Sequence, residues 1–174
     1  LLDWLAAELV AKGWSRKALV REIVLTKTYR QSSDHRPELL DRDPKNQLLA
    51  RQNRFRVEAE IVRDLSLAAA GLLSPKVGGP SVFPPIPAGV ADVNYNSAFK
   101  WKTSEGEDRY RRALYTYFKR TAPHPSLISF DCPDSNVTTV RRSLSNSPLA
   151  ALIFLNSEPF VEAAQGLSRR VLTE

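Results

Sequence analysis

At 174 residues, with 43% hydrophobic and 25% charged side chains, the chain has the make-up of a folded globular domain large enough for a real core. Its longest apolar run falls far short of the ~20 residues a membrane helix needs, no targeting segment is visible, and its one cysteine, Cys132, excludes an internal disulfide, a zinc knuckle and a covalently attached c-type haem. The net charge of +6 is spread along the chain, a pattern of surface solvation more than of a nucleic-acid footprint.

The chain has no methionine and opens inside an amphipathic pattern, Leu1, Leu2, Leu5 and Leu9, as expected of a fragment of a larger multidomain protein. That pattern predicts a helix from about Leu1 to Lys12, stopped at Gly13. Ser15 then caps a second helix carrying Leu19, Val20, Ile23 and Val24, so the pair reads as an antiparallel hairpin. After Tyr29 a polar stretch with Pro37 and Pro44 is a connector holding only short turns.

Helical periodicity returns from about Arg51 to Leu73, with a stripe of Val57, Ile61, Leu65, Ala68 and Leu72. This is expected to be the longest helix and the spine of the core. Arg56, Glu60, Arg63 and Asp64, at spacings of three and four, would form a solvated charge ladder on its outer face. From Ser74 to Gly106 the chain turns to Pro, Gly and small polar residues, a connection far beyond the ~4 to 6 residues usual between elements. Residues 75 to 106 are therefore expected to be exposed and partly mobile, the first place a protease cuts. Gly78-Gly79-Pro80 is too short for a phosphate loop.

Glu107 to Arg120 reads as a helix on Tyr110, Leu114, Tyr117 and Phe118, with a strand as the rival; Pro123 and Pro125 end it either way. An irregular segment follows to Ser145. Ser147 with Pro148 at the first helical position opens a short helix closed by Asn156, and Ser157 caps a last amphipathic helix through Val161, Ala164, Leu167 and Val171. The expected fold is mainly α: one helical domain over residues 1 to 174, in which the first two helices, the long helix and the C-terminal helix share a core.

Chemistry-bearing residues gather between Glu107 and Asn156. Asp131 and Asp134 could serve as a carboxylate acid and base flanking a glycosidic bond, or as turn formers bonding their own backbone. His35 and His124, the only histidines, have no second ligand at metal spacing. Ser126, Ser129 and Ser143 lack the context that exposes a nucleophile. Arg141 and Arg142, with Lys119, Arg120 and Tyr115, form the best binding signal: guanidinium groups grip anions bidentately and aromatic faces stack on sugar rings. The same arginines could instead brace an irregular segment rich in unpaired carbonyls. The expectation divides the pair, with Arg141 bracing and Arg142 open to a ligand.

The segments Lys119 to Thr121, Phe130-Asp131, Val140 to Arg142, Asn146 to Leu149 and Asn156 to Ala164 resemble a C-terminal domain of unknown function found in large planctomycete and verrucomicrobial proteins that also carry c-type cytochrome domains. Upstream, Leu19 to Ser33, Asp43 to Arg51, Arg54 to Asp64 and Gly78 to Pro84 agree, so the resemblance spans nearly the whole chain. It departs at Ser145 and Ser147, where that family usually has Thr, and at Ala150, where it has Gln. The resemblance implies a periplasmic or extracellular location, other domains of the parent protein as partners, and haem only on a separate domain. It supplies no reaction. The function expected is an accessory or ligand-binding domain, with an anionic saccharide as ligand; a carbohydrate-active enzyme using Asp131 or Asp134 is the alternative.

Overall fold

The structure is a computed structural model describing residues 1 to 34, 36 to 39, 41 to 87 and 100 to 174. Its regular elements are α1 (Leu2–Ala11), α2 (Arg16–Leu25), α3 (Ala59–Ala69), α4 (Pro125–Ser129), α5 (Pro148–Asn156) and α6 (Glu158–Thr173). Strand character among the described residues is limited to two isolated bridges, so the fold is mainly α as expected. No helix among the described residues is long and apolar enough to cross a membrane. The described chain divides into two compact units, Leu1–Phe55 and Arg56–Glu174.

In the first unit α1 ends as its glycine dictates. Gly13 and Trp14 both take positive φ, and their amides return to the carbonyls of Val10 and Leu9 at 2.9 and 2.8 Å, satisfying the orphan acceptors of the last turn. Ser15 Oγ then accepts from Ala18 N at 3.3 Å to start α2. Lys12 clasps Glu8 at 3.0 Å and Glu22 of α2 at 3.1 Å, closing the hairpin. Neither helix has a fully buried residue, although Leu5, Leu9 and Leu19 are half-buried. The connector holds a short 3-10 turn at Pro37–Leu39 and, beyond it, two buried polar residues that its composition did not suggest. Asp43 accepts from the amides of Gln47 and Leu48, both at 2.7 Å, and Asn46, at φ 53°, donates to the Arg51 carbonyl at 2.7 Å. A tight polar loop is thereby fixed without any apolar core.

The second unit departs from expectation at its centre. The helix read over Arg51 to Leu73 spans only Ala59–Ala69, and the longest helix is α6, of 16 residues. Glu58 is still extended at ψ 158°, because Arg56 just before it is drawn to the Phe130 carbonyl and the Asp131 carboxylate. At the other end Gly71, at φ 70°, turns the chain so that Leu72 and Leu73 return their amides to Leu67. The buried face also differs. Ala59, Val62, Arg63, Asp64 and Leu67 point inward, whereas Leu65 of the expected stripe is 55% exposed. Arg63 and Asp64 are thus interior groups, not rungs of a solvated ladder.

The core joins Ala59 and Val62 to Leu127 and Phe130 of the α4 region, Ala150 of α5 and Phe160 of α6. All of these residues belong to the second unit. Its heart is aromatic: Phe130 and Phe154 have centroids 4.9 Å apart, Phe154 and Phe160 4.6 Å, at tilted to edge-on angles suited to the ring quadrupoles. α3 and α6 approach closely at Gly166, where a Cβ would lie 3.0 Å from Ala70 Cβ. Ser147 caps α5 through Ala150 N at 3.2 Å. Ser157 stands at the start of α6 but makes no side-chain cap bond, and its hydroxyl is buried without a partner.

Residues 107 to 120 form no α-helix. They run as two 3-10 turns, Gly106–Tyr110 and Ala113–Tyr115, joined by extended backbone. The cause is pairing across the chain: Ser74 N donates to Tyr110 O at 3.0 Å, Val82 N to Tyr115 O and Tyr117 N to Val82 O, both at 2.8 Å. The same pairing overturns the exposed-loop expectation for part of residues 75 to 106. Residues 75 to 81 are exposed, but Val82, Pro84 and Pro85 are buried. Phe83, Trp101 and Tyr117 form an aromatic group with Phe83 5.2 Å from Trp101 and 5.0 Å from Tyr117. Trp101 Nε1 donates to Pro84 O at 2.9 Å, and Ser104 N to Phe83 O, also at 2.9 Å. Residues 88 to 99 of that stretch lie outside the described residues.

Candidate functional site

The two bridges pair Ser74 with Arg111 and Val82 with Thr116, and Arg111 becomes the second unit's most enclosed cation at 1% exposure. Its Nη1 donates to Pro80 O at 2.9 Å and its Nη2 to Gly78 O, while the guanidinium lies 3.8 Å over the Tyr115 ring. Tyr115 OH in turn accepts from Gly78 N at 2.8 Å. Gly79, at φ 92°, passes so near that a Cβ would sit 3.7 Å from Arg111 Nη1. The Gly78-Gly79-Pro80 turn therefore aims carbonyls at a resident cation; it does not offer amides to an anion. Tyr115, expected at a ligand site, has its ring and hydroxyl engaged here.

A second buried cation, Arg63, donates from Nη2 to the Arg109 carbonyl at 2.8 Å. Burial pushes its pKa down to about 10 against the opposing pull of Asp64 and Glu162. Arg109 itself binds Glu158 at 2.6 Å and Glu162 at 3.1 Å, and Tyr110 OH donates to Glu162 at 2.6 Å, tying the first 3-10 turn to α6. Asp64 accepts from Ala113 N at 2.7 Å and from Arg112 Nε at 3.1 Å, fixing the second turn to α3. The charges of α3 are the fasteners of the unpatterned segment.

His124 lies against the same interior, 4% exposed. Its Nδ1 accepts from Ser126 N at 3.3 Å, so Nε2 carries the proton and donates to Pro85 O at 3.1 Å. Burial pushes its pKa down to about 4, with the Arg63 charge adding and the Pro85 bond opposing. The folded protein therefore keeps this ring neutral where the unfolded chain, with an ordinary value near ~6.5, takes a proton. Stability from this group is full above about pH 6.5 and is lost as pH falls towards 4, reaching about 3 kcal/mol. Melting curves at pH 7 and 4.5 should show a fall of several degrees that is much smaller in His124→Gln. Parallel falls in both proteins would place the acid sensitivity elsewhere.

The sequence-selected residues divide sharply. Asp131, at φ 60°, pairs with Arg56 and accepts from Ser145 N at 2.7 Å and Ser145 Oγ at 2.9 Å; the Ser145 amide is the main cause holding its carboxyl below the usual range. Asp134 accepts from Asn136 N and Nδ2, both at 3.0 Å, and is likewise held low by that amide. Arg142 grips Glu60 at 2.6 Å and Glu58 at 3.2 Å at the start of α3. Against the expected division of the pair, it is Arg142 that braces; Arg141 is exposed with no ion pair among the described residues. Arg120 is exposed and Lys119 half-buried. Tyr115 and Arg142 are tied to different anchors, the 78 to 80 turn and the start of α3.

Cys132 Sγ lies 3.8 Å from Glu60, and burial, then that carboxylate, pushes its pKa up to about 11, which makes the thiol a poor nucleophile. Among the described residues no three His, Cys, Asp or Glu side chains gather as a metal site; His35 lies outside them. Missed from sequence as anchoring groups were Arg56, Arg63 and Asp64. A signal existed for two of them, since Arg63 and Asp64 sit side by side in an otherwise apolar turn of α3.

No characterised protein and no solved structure matches the chain. The family described as PSD1, protein of unknown function (DUF1553), matches residues 1–174 throughout, and the chain belongs to that family.

Proposed function

We propose that the chain is an accessory, ligand-binding domain of a larger exported protein of the cytochrome-linked planctomycete kind, working in the periplasm or outside the cell, and that its ligand is an anionic saccharide. The observation that carries this reading is the commitment of both candidate acids. Asp131 and Asp134 are each turned onto local donors and held below the ordinary carboxylate range. A glycosidase needs one of its pair protonated at working pH, hence raised. Recognition of an anion needs only a positioned cation, and Arg141 stands exposed beside a braced Arg142. Haem belongs to another domain of such a protein, since Cys132 alone cannot form a two-cysteine attachment.

The test is a screen of sulfated and uronic-acid glycans against the parent protein, scoring binding and turnover side by side. Arg141→Lys should weaken binding several-fold with an unchanged melting temperature, because lysine keeps the charge but not the planar fork. Arg142→Lys should instead lower the melting temperature by a few degrees. Binding unaffected by Arg141→Lys would sink this reading, and turnover lost on Asp131→Asn or Asp134→Asn with the fold intact would establish the enzyme alternative.

A further inference from the structure

Between α3 and α4 lies a small enclosed cavity lined by Ala59, Arg63, Thr116, His124, Phe130 and Phe160, among others, with room for about one water-sized species. Two of its lining side chains have orphaned polar atoms. Arg63 Nε and Thr116 Oγ1 are both sealed from solvent and have no hydrogen-bond partner. Arg63 is only 8% exposed, and among the described residues no carboxylate comes within the 4.0 Å of an ion pair with it. Its bond to the Arg109 carbonyl satisfies Nη2 but does not neutralise the charge.

The open bonding positions of the cavity suit an acceptor. A guanidinium Nε–H can only donate, and a threonine hydroxyl donates one bond while also able to accept. The two ring nitrogens of His124 are already used, Nδ1 by Ser126 and Nε2 by Pro85. Apart from the Ser126 hydroxyl the other walls are apolar, and the carboxylates of Asp64 and Glu162, which act on Arg63, make no ion pair with it, so the site sets open donors beside an unpaired cation. From this geometry we infer that the cavity binds a monatomic anion, chloride in ordinary solution, held by Arg63 Nε–H and Thr116 Oγ–H. Oxyanions and saccharide carboxylates are too large for the space, so the site is separate from the one at Arg141. The ion compensates the desolvation of Arg63, which burial otherwise leaves with a lowered pKa.

The experiment compares melting of the intact protein in sodium chloride and sodium gluconate at equal ionic strength and pH 7. Chloride should raise the melting temperature saturably, by about 3 °C or more at high occupancy. Thr116→Val should abolish the rise and Thr116→Ser should keep it. Crystals soaked in bromide should show an anomalous peak within hydrogen-bond reach of Arg63 Nε. Equal melting in the two salts, a chloride effect that survives in Thr116→Val, or a water where bromide should sit would each overturn the assignment.

Discussion

Phe130→Ala is expected to destabilise the protein by about 3 to 5 kcal/mol, a fall of roughly 10 °C in melting temperature. Phe130 is 3% exposed and touches both aromatic neighbours, with centroids 4.9 Å from Phe154 and 5.9 Å from Phe160. Truncation removes the burial of a whole ring and leaves a hole walled by α3, α4, α5 and α6, whose backbones cannot all close in. Leu65→Ala, by contrast, should shift stability by less than about 1 kcal/mol, because that side chain is already half in water. The pair is read by urea denaturation at constant m-value. Comparable losses at the two positions would mean that the buried face of α3 is the one the apolar stripe indicated, and not the one described.

Arg111→Met should cost about 2 to 4 kcal/mol and release the 78 to 80 turn. Two opposing effects decide the figure. Removing a buried cation with no carboxylate partner among the described residues relieves a desolvation penalty, which favours the variant. The carbonyls of Gly78 and Pro80 lose charge-assisted donors worth about 1.5 to 3 kcal/mol each, and the stack on Tyr115 goes with them. Water can reach part of the exposed turn and recover some of that loss, which keeps the total below the sum. Arg111→Lys should recover little, since an ammonium cannot reach both carbonyls as a planar fork does. Trypsin should then cut after Lys76 in Arg111→Met far faster than in the unaltered protein. An undiminished melting temperature together with unchanged cleavage would show that the turn holds its shape without the guanidinium.

Local chemistry by itself determined where several elements begin and stop. Gly13 ends α1, Ser15 opens α2 and Ser147-Pro148 opens α5, because capping is settled within four residues of the chain. The mainly α class was legible for the same reason, and the motifs spread from Leu19 to Ala164 resembled a domain of unknown function, the kind of family the whole chain matches. The helix at α3 was legible as a helix, but its limits were missed at both ends, at Gly71 and at the extended approach to Ala59.

Tertiary structure alone chose the buried face of α3, since that sequence is apolar on two sides. The choice fell to the side where Asp64 meets the Ala113 amide and Arg63 the Arg109 carbonyl, partners 49 and 46 residues away. It also turned residues 107 to 120 away from helix, because their backbone bonds are made with Ser74 and Val82, which no local periodicity records. The placement of Arg142 was decided in the same way: Glu60, 82 residues before it, stands within its reach, a contact that nothing local in the sequence marks.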